Sequence, residues 1–142
     1  GAMEYPSDEV IPQHTYACAP INSEYFLVYI IGFDRENLCY HCCDADPDPQ
    51  HTELKDIVVP MKEIIPMPTS VPSKHVKGTY FSVKTRVLAM WYENGQWTSA
   101  FYPATVASIP SSSPGVYRLM FDGQPPLFQD VPEQMVVRYP TE

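Results

Sequence analysis

The chain has 142 residues and a formal net charge of −8, a length that fits one ordinary domain or two small units packed together. So acidic a protein is poorly suited to neutralising nucleic-acid phosphates, which takes Lys and Arg; it favours a basic partner or a solvated acidic face. No apolar run reaches the roughly 18 residues of a helical membrane span, and no secretory signal is read at the front.

The 16 prolines are scattered along the chain and interrupt helical periodicity, leaving short runs rich in Val, Ile, Tyr, Phe and Trp between turns. The expected fold class is therefore all-β. Gly1-Ala2-Met3 reads as a cleavage remnant of a longer protein, and residues 1–10 as a scar and frayed lead. His14 to Ala19 suits a first strand. Tyr25 to Phe33 is almost continuously apolar and is expected to be a strand buried on most of both faces. Asp34 to Asn37 supplies turn residues, and Leu38 to Cys43 returns as a strand. Asp44-Ala45-Asp46-Pro47-Asp48-Pro49-Gln50 is an acidic loop, and Ile57 to Val59 with Ile64 to Met67 completes a first unit over residues 11–68. A connector over 69–77 leads to a second unit, 78–142.

Within the second unit Asn94-Gly95 marks a tight hairpin, because a type I′ turn needs positive φ at both central residues. Ile109 to Gly115 reads as a hairpin connection, and Gly123 to Gln129 as an irregular excursion. An internal repeat is legible. Val59-Pro60 through Pro68 lies over Val131-Pro132 through Pro140 without a gap, Tyr25-Phe26 over Phe101-Tyr102, and Tyr40 to Asp44 over Tyr117 to Phe121. Each copy, about sixty residues with roughly five strands, has the size of a small partly closed barrel. Units so small bury little core alone, so the two are expected to pack against each other.

Strand alternation defines three rows, Val87-Ala89-Trp91, Tyr102-Ala104-Val106 and Tyr117-Leu119-Phe121, each with a large aromatic at one end. With small residues beneath, Trp91, Tyr102 and Phe121 form a candidate cage whose π faces suit a methylated ammonium, and Asp122 adjoins as a counter-charge. Any one of the three can equally be an ordinary core aromatic. In the overlay Asp44 stands where the second unit has Phe121, and where it has Trp91 the first unit offers only the small residues around Ala17 to Ala19. The acidic loop can hold a positive group such as a free N-terminal amine, or it can be a solvated turn. It lacks the glycine and the number of oxygen ligands that a calcium loop needs.

Cys39, Cys42 and His41 offer a fragment of a zinc motif, but no second matched pair follows; buried reduced cysteines are the preferred reading, and no cofactor is expected. No nucleophile elbow, phosphate loop, dinucleotide fingerprint or metalloprotease helix motif is present, so the chain reads as a binder and not an enzyme.

These residues resemble a known family. Trp91 to Ile109 looks like a Tudor domain, and the doubled arrangement resembles the C-terminal tandem Tudor module of SAGA-associated factor twenty-nine. That family carries Tyr-x-x-Asp-Asp-x-Asp where this chain has Tyr40-His-Cys-Cys-Asp44-Ala-Asp46, and Ile-Pro-Leu-Pro where it has Ile65-Pro66-Met67-Pro68. Its Val-Leu-Ala-Leu-Tyr corresponds to Val87-Leu88-Ala89-Met90-Trp91, its Phe-Tyr-Arg-Ala to Phe101-Tyr102-Pro103-Ala104, and its Leu-Phe-Glu-Asp to Met120-Phe121-Asp122 with Gly123 in the last place. The resemblance implies two five-stranded SH3-like barrels and a non-catalytic, nuclear chromatin reader. The implied ligand is the N-terminal tail of histone three, tri- or dimethylated on lysine four, within a SAGA-type acetyltransferase assembly. Asp44 and Asp46 would hold the tail's free amino group, while Trp91, Tyr102, Phe121 and Asp122 would receive the methylammonium. No membrane or direct nucleic-acid partner is implied, and the fragment is expected to be monomeric. A reader of symmetric dimethylarginine and a structural interaction module are the alternatives.

Overall fold

The computed structural model describes residues 10–45, 56–68, 80–112 and 115–140. The described strands are β1 (Tyr16–Ile21), β2 (Glu24–Asp34), β3 (Cys39–Asp44), β4 (Ile57–Pro60), β5 (Ile65–Pro66), β6 (Arg86–Glu93), β7 (Gln96–Ser108), β8 (Val116–Phe121), β9 (Leu127–Pro132) and β10 (Val136–Arg138), with 3-10 turns at Met61–Glu63 and Glu133–Met135. The chain is all-β, and these strands belong to one hydrogen-bonded antiparallel sheet. The connector over 69–77 and part of the acidic loop, including Asp46, lie outside the described residues.

The repeat is written into the hydrogen-bond register. Ala17 faces Val28 as Val87 faces Ala104, Val28 faces Asp44 as Ala104 faces Phe121, and Tyr40 faces Val59 as Tyr117 faces Val131. A bulge follows Ile30 in β2 and another follows Val106 in β7. Pro60 (φ −58, ψ 143) and Pro132 (φ −56, ψ 144) each deliver the chain into a 3-10 turn, a place where the missing N–H costs nothing and the ring holds φ. The Tyr40 hydroxyl accepts the backbone N–H of Ile11 at 2.9 Å, and Tyr117 accepts that of Phe81 at 3.0 Å. Each buried tyrosine thus satisfies a donor on the segment leading into its own unit.

Alternation along these strands builds three layers of apolar side chains. Ala17, Ala19, Val28, Ile30, Tyr40, Cys42 and Val59 fill the first unit, and Val87, Ala89, Ala104, Val106, Tyr117, Leu119, Phe121 and Val131 the second. Cys18, Ile65, Met67, Leu88, Met90, Phe101 and Val137 form the third, between the units. Strands β1 and β6 are therefore covered on both faces, and Ala17, Cys18 and Ala19 have no exposed surface. The units also share a ladder, with Tyr25 opposite Phe101 and Phe26 opposite Ala100.

Two expectations about individual segments are corrected. In β2 the fully buried residues are Val28 and Ile30, and Ile31 is exposed. The inter-unit layer covers the outer face of β1, and of β2 it meets only Tyr25 and Leu27, both partly buried. The irregular stretch after Phe121 also ends sooner than expected, because Leu127 already pairs with Phe121.

Candidate functional site: an aromatic strand end and an acidic one

The two hairpins that begin the units differ in length, and the difference places Trp91 at the candidate site. In the first unit Ala19 is followed by Pro20 and Ile21, then by a turn whose Asn22 and Ser23 have φ of 54° and 70°. In the second, Ala89 is followed by Met90 through Glu93 before Asn94 and Gly95, with φ of 53° and 80°. The residue two beyond the equivalent alanine is Ile21 in the first unit and Trp91 in the second, so Ile21 is the closer structural counterpart of Trp91 than the alanines around Ala17 to Ala19.

Trp91 sits in a register break between Met90 and Tyr92, and a bulge of this kind re-aims a side chain. Side chains replace the missing ladder bonds. The Trp91 N–H donates to Thr98 Oγ1 at 3.1 Å, the Tyr92 N–H donates to Gln129 Oε1 at 3.0 Å, and Gln129 Nε2 donates to the Tyr92 carbonyl at 2.7 Å. The half-buried Trp91 ring then meets Phe121 edge-on, centroids 5.0 Å apart and planes at 84°. Phe121 is buried, whereas Tyr102 is 43% exposed. Tyr102 pairs with Ala89, two residues from Trp91 on β6, and lies two residues along β7 from Ala104, the partner of Phe121. The three aromatics thus share one end and one face of adjacent strands. Ala89 and Ala104, both without exposed surface, form the floor.

The carboxylates near this end are arranged differently from the sequence reading. Asp122, expected beside the cage as a counter-charge, receives Arg86 Nη1 and Nη2 at 2.7 Å each, and this forked pair holds its carboxyl below the usual range. Alternation turns Asp122 away from the face that Phe121 occupies, so its charge is already matched by Arg86. Glu93 is the carboxylate that sequence reasoning missed: its Oε1 accepts the indole N–H of Trp91 at 3.1 Å. The available signal was the spacing Trp91-x-Glu93, which in a strand places both side chains on one face.

At the equivalent end of the first unit, Asp44 is exposed on the last residue of β3, opposite Val28. Its negative charge is felt by the neighbouring Cys43, whose thiol is raised first by burial and then by Asp44. An open groove of about 430 Å³ lies between the units, where Leu27, Ala45, Met67, Met90, Trp97 and Met135 line it. It begins next to Asp44, at Ala45, and is walled on the other side by Trp97 from the long hairpin, a residue to which the sequence reading assigned no role.

Burial pushes the Cys42 thiol up to about 12 and raises Cys18 as well, which keeps both protonated at neutral pH.

Antiparallel, bulged β-strands in a duplicated five-strand pattern, with aromatic side chains gathered at a strand end, are the pattern of an SH3-like, tudor-type domain. The chain matches the SGF29 tudor-like domain family over residues 6–140 and belongs to that family. It is accordingly a tudor-type chromatin-reader module. No curated protein sequence matches it. Among solved structures it is similar to a selenium-substituted double mutant of the SAWADEE domain of Arabidopsis thaliana SHH1, with a TM-score of 0.39 and 10% identity, covering 92% of this chain and 99% of that one.

Proposed function

We propose that this chain binds the N-terminal tail of histone three when lysine four is tri- or dimethylated, with Trp91, Tyr102 and Phe121 enclosing the methylammonium and Asp44 and Asp46 holding the free amino terminus. The observation that carries the reading is the contact of Trp91 with Phe121 at one rim of the second unit, with Tyr102 left exposed beside them. A core needs no half-exposed tyrosine at the end of an aromatic row, whereas a cation without N–H donors is stabilised by such faces and requires no hydrogen bond on burial. Glu93 keeps the electron-rich indole facing a negative partner, while Asp122 acts indirectly by anchoring the strand end to Arg86.

The spacing of the two sites supports one ligand bridging both. Across the shared ladder, Asp44 and Tyr102 lie two strands apart and about four residues along. On a flat sheet this separates their Cα atoms by roughly 16 Å. Three steps of extended peptide cover about 10–11 Å, and a lysine side chain supplies most of the rest. The net charge of −8 suits a basic tail. On this reading the chain serves in the nucleus, within a SAGA-type acetyltransferase coactivator.

Calorimetric titration with free-amine peptides tests the proposal. The trimethylated peptide should saturate, and both N-terminal acetylation and removal of the methyl groups should weaken binding clearly. Equal affinity for all three peptides, or preference for a symmetric dimethylarginine peptide that is unaffected by changing Asp44, would overturn it.

A further inference from the structure

The outer face of the β2–β3 hairpin carries a second constellation, on the far side of β3 from the layer that Tyr40 and Cys42 help fill. Register places Asp34 opposite Cys39 and Gly32 opposite His41. Directly paired residues share a face in an antiparallel ladder, and so do residues two apart on one strand, so Asp34, Cys39 and His41 project together. One donor atom from each lies within 4.8 Å of the others. Two ligands of a tetrahedral zinc ion, at about 2.0–2.3 Å from the metal, stand roughly 3.3–3.8 Å apart. Closing the remaining ångström takes side-chain rotation and no movement of the ladder.

Three features prepare these side chains for a cation. The Asp34 carboxylate is fixed by the turn that follows it, accepting the backbone N–H of Glu36 at 2.9 Å and of Asn37 at 3.2 Å, and the Asn37 side-chain amide at 2.8 Å. Those bonds occupy both acceptor sites of Oδ1 and one of Oδ2, which leaves a lone pair on Oδ2 for a cation. His41 Nδ1 lies 3.1 Å from both oxygens of Asp56. A carboxylate on one ring nitrogen fixes the tautomer and directs the other nitrogen's lone pair outward, as behind many metal-bound imidazoles. Space is also provided. Gly32, across from His41, would meet nothing within 4 Å if it carried a Cβ, and a cavity of about 450 Å³ opens there among Ile31, Phe33, Asp34, His41 and Asp56. Of the four thiols, Cys18, Cys42 and Cys43 are buried, and Cys39 is the partly exposed one.

We infer that Asp34, Cys39 and His41 bind a single divalent transition-metal ion of the zinc type, with Asp56 orienting the imidazole and solvent completing the coordination. A thiolate–imidazole–carboxylate set of this kind selects zinc or cobalt over calcium and magnesium. The sequence hides the site because its cysteine and histidine spacing lacks a second pair. The third ligand comes from the preceding strand, brought opposite Cys39 by the hairpin.

Cobalt(II) titration of the folded protein tests the assignment. One equivalent should produce a thiolate-to-cobalt charge-transfer band in the near ultraviolet, and zinc should bleach it. Cys39→Ser should abolish the band, and His41→Asn should weaken cobalt binding at least tenfold. Asp56→Asn should weaken it about ten- to hundredfold with the band shape unchanged, as expected of an orienting group. Circular dichroism establishes that each variant is folded, and Cys42→Ala and Cys43→Ala serve as variants that should leave the band in place. A wild-type protein that gives no band, or a band that survives in folded Cys39→Ser, overturns the inference. Neither result bears on the peptide titration, which probes Trp91, Tyr102 and Phe121 together with Asp44 and Asp46 and none of the residues proposed to hold the metal.

Discussion

Tyr102→Ala is the most direct test of the aromatic rim. Tyr102 is 43% exposed and pairs through its backbone with Ala89, so its ring is not needed to fill a core. Truncation should therefore change folding stability by no more than about 0.5 kcal/mol. A cation over an aromatic face gains about 0.5–1 kcal/mol at an exposed site and about 2 kcal/mol once desolvated. A trimethylammonium seated between Tyr102 and the Trp91–Phe121 pair displaces water from the exposed faces of Tyr102 and Trp91, so the upper half of that range applies. The expected loss is about 1–2 kcal/mol, or roughly 5- to 30-fold in Kd. Tyr102→Phe keeps the ring and should stay within about twofold. The assay is calorimetry with trimethylated and unmethylated free-amine peptides, alongside urea unfolding of each variant. The alanine variant should lose affinity for the trimethylated peptide alone, narrowing the difference between the two. Unchanged affinity in Tyr102→Ala, or an equal loss in Tyr102→Phe, would refute the reasoning.

Four further outcomes are expected. Glu93→Gln should weaken binding of the trimethylated peptide by about 0.5–1 kcal/mol and reduce its salt dependence, because a partly screened carboxylate at the Trp91 indole edge is neutralised. Asp44→Asn should weaken the free-amine peptide several-fold while leaving the weaker N-acetylated peptide unchanged, a pattern that titration of both peptides reads directly. Asp122→Asn should cost less than about 1 kcal/mol at neutral pH, because the Arg86 pair is about half exposed. Since the folded-state pKa of Asp122 is depressed, that contribution is present above the ordinary carboxylate range near pH 4 and is lost as pH falls through the folded value; urea unfolding of wild type and variant should therefore converge in strong acid. Tyr117→Phe should cost about 1–3 kcal/mol in urea unfolding by leaving the Phe81 N–H without its partner, and Tyr40→Phe should cost the same through Ile11.

Much of the fold was legible because its signals are local. Proline spacing and period-two alternation identified the strands. Asn94-Gly95 identified a turn that needs positive φ at both residues, which the structure has. The three predicted rows turn one face toward the second unit's layer, with Tyr102 left exposed at the end of its row. What escaped were features that depend on distant strands. The apolar run of β2 gave no sign that only Tyr25 and Leu27 on its outer face would pack against the inter-unit layer, which is assembled mainly from β1, β5, β6, β7 and β10, while Ile31 stays exposed. The pairing of Asp122 with Arg86 joins residues far apart in sequence, as do the Gln129 side-chain bonds that hold the bulge at Trp91.

By itself, the sequence determined the all-β class, the duplication, and the family, because each rests on residue order and short-range chemistry. The overlay of Phe121 on Asp44 was also readable, and the register repeats it. Only the tertiary structure decided that the Asp122 charge is matched by Arg86. It also decided how the longer hairpin of the second unit turns Trp91 onto Phe121, and how Asp34 comes to stand opposite Cys39. The physical reason is common to all three: a side chain's direction in a strand follows from alternation, but its partner follows from register and bulges, which long-range pairing sets.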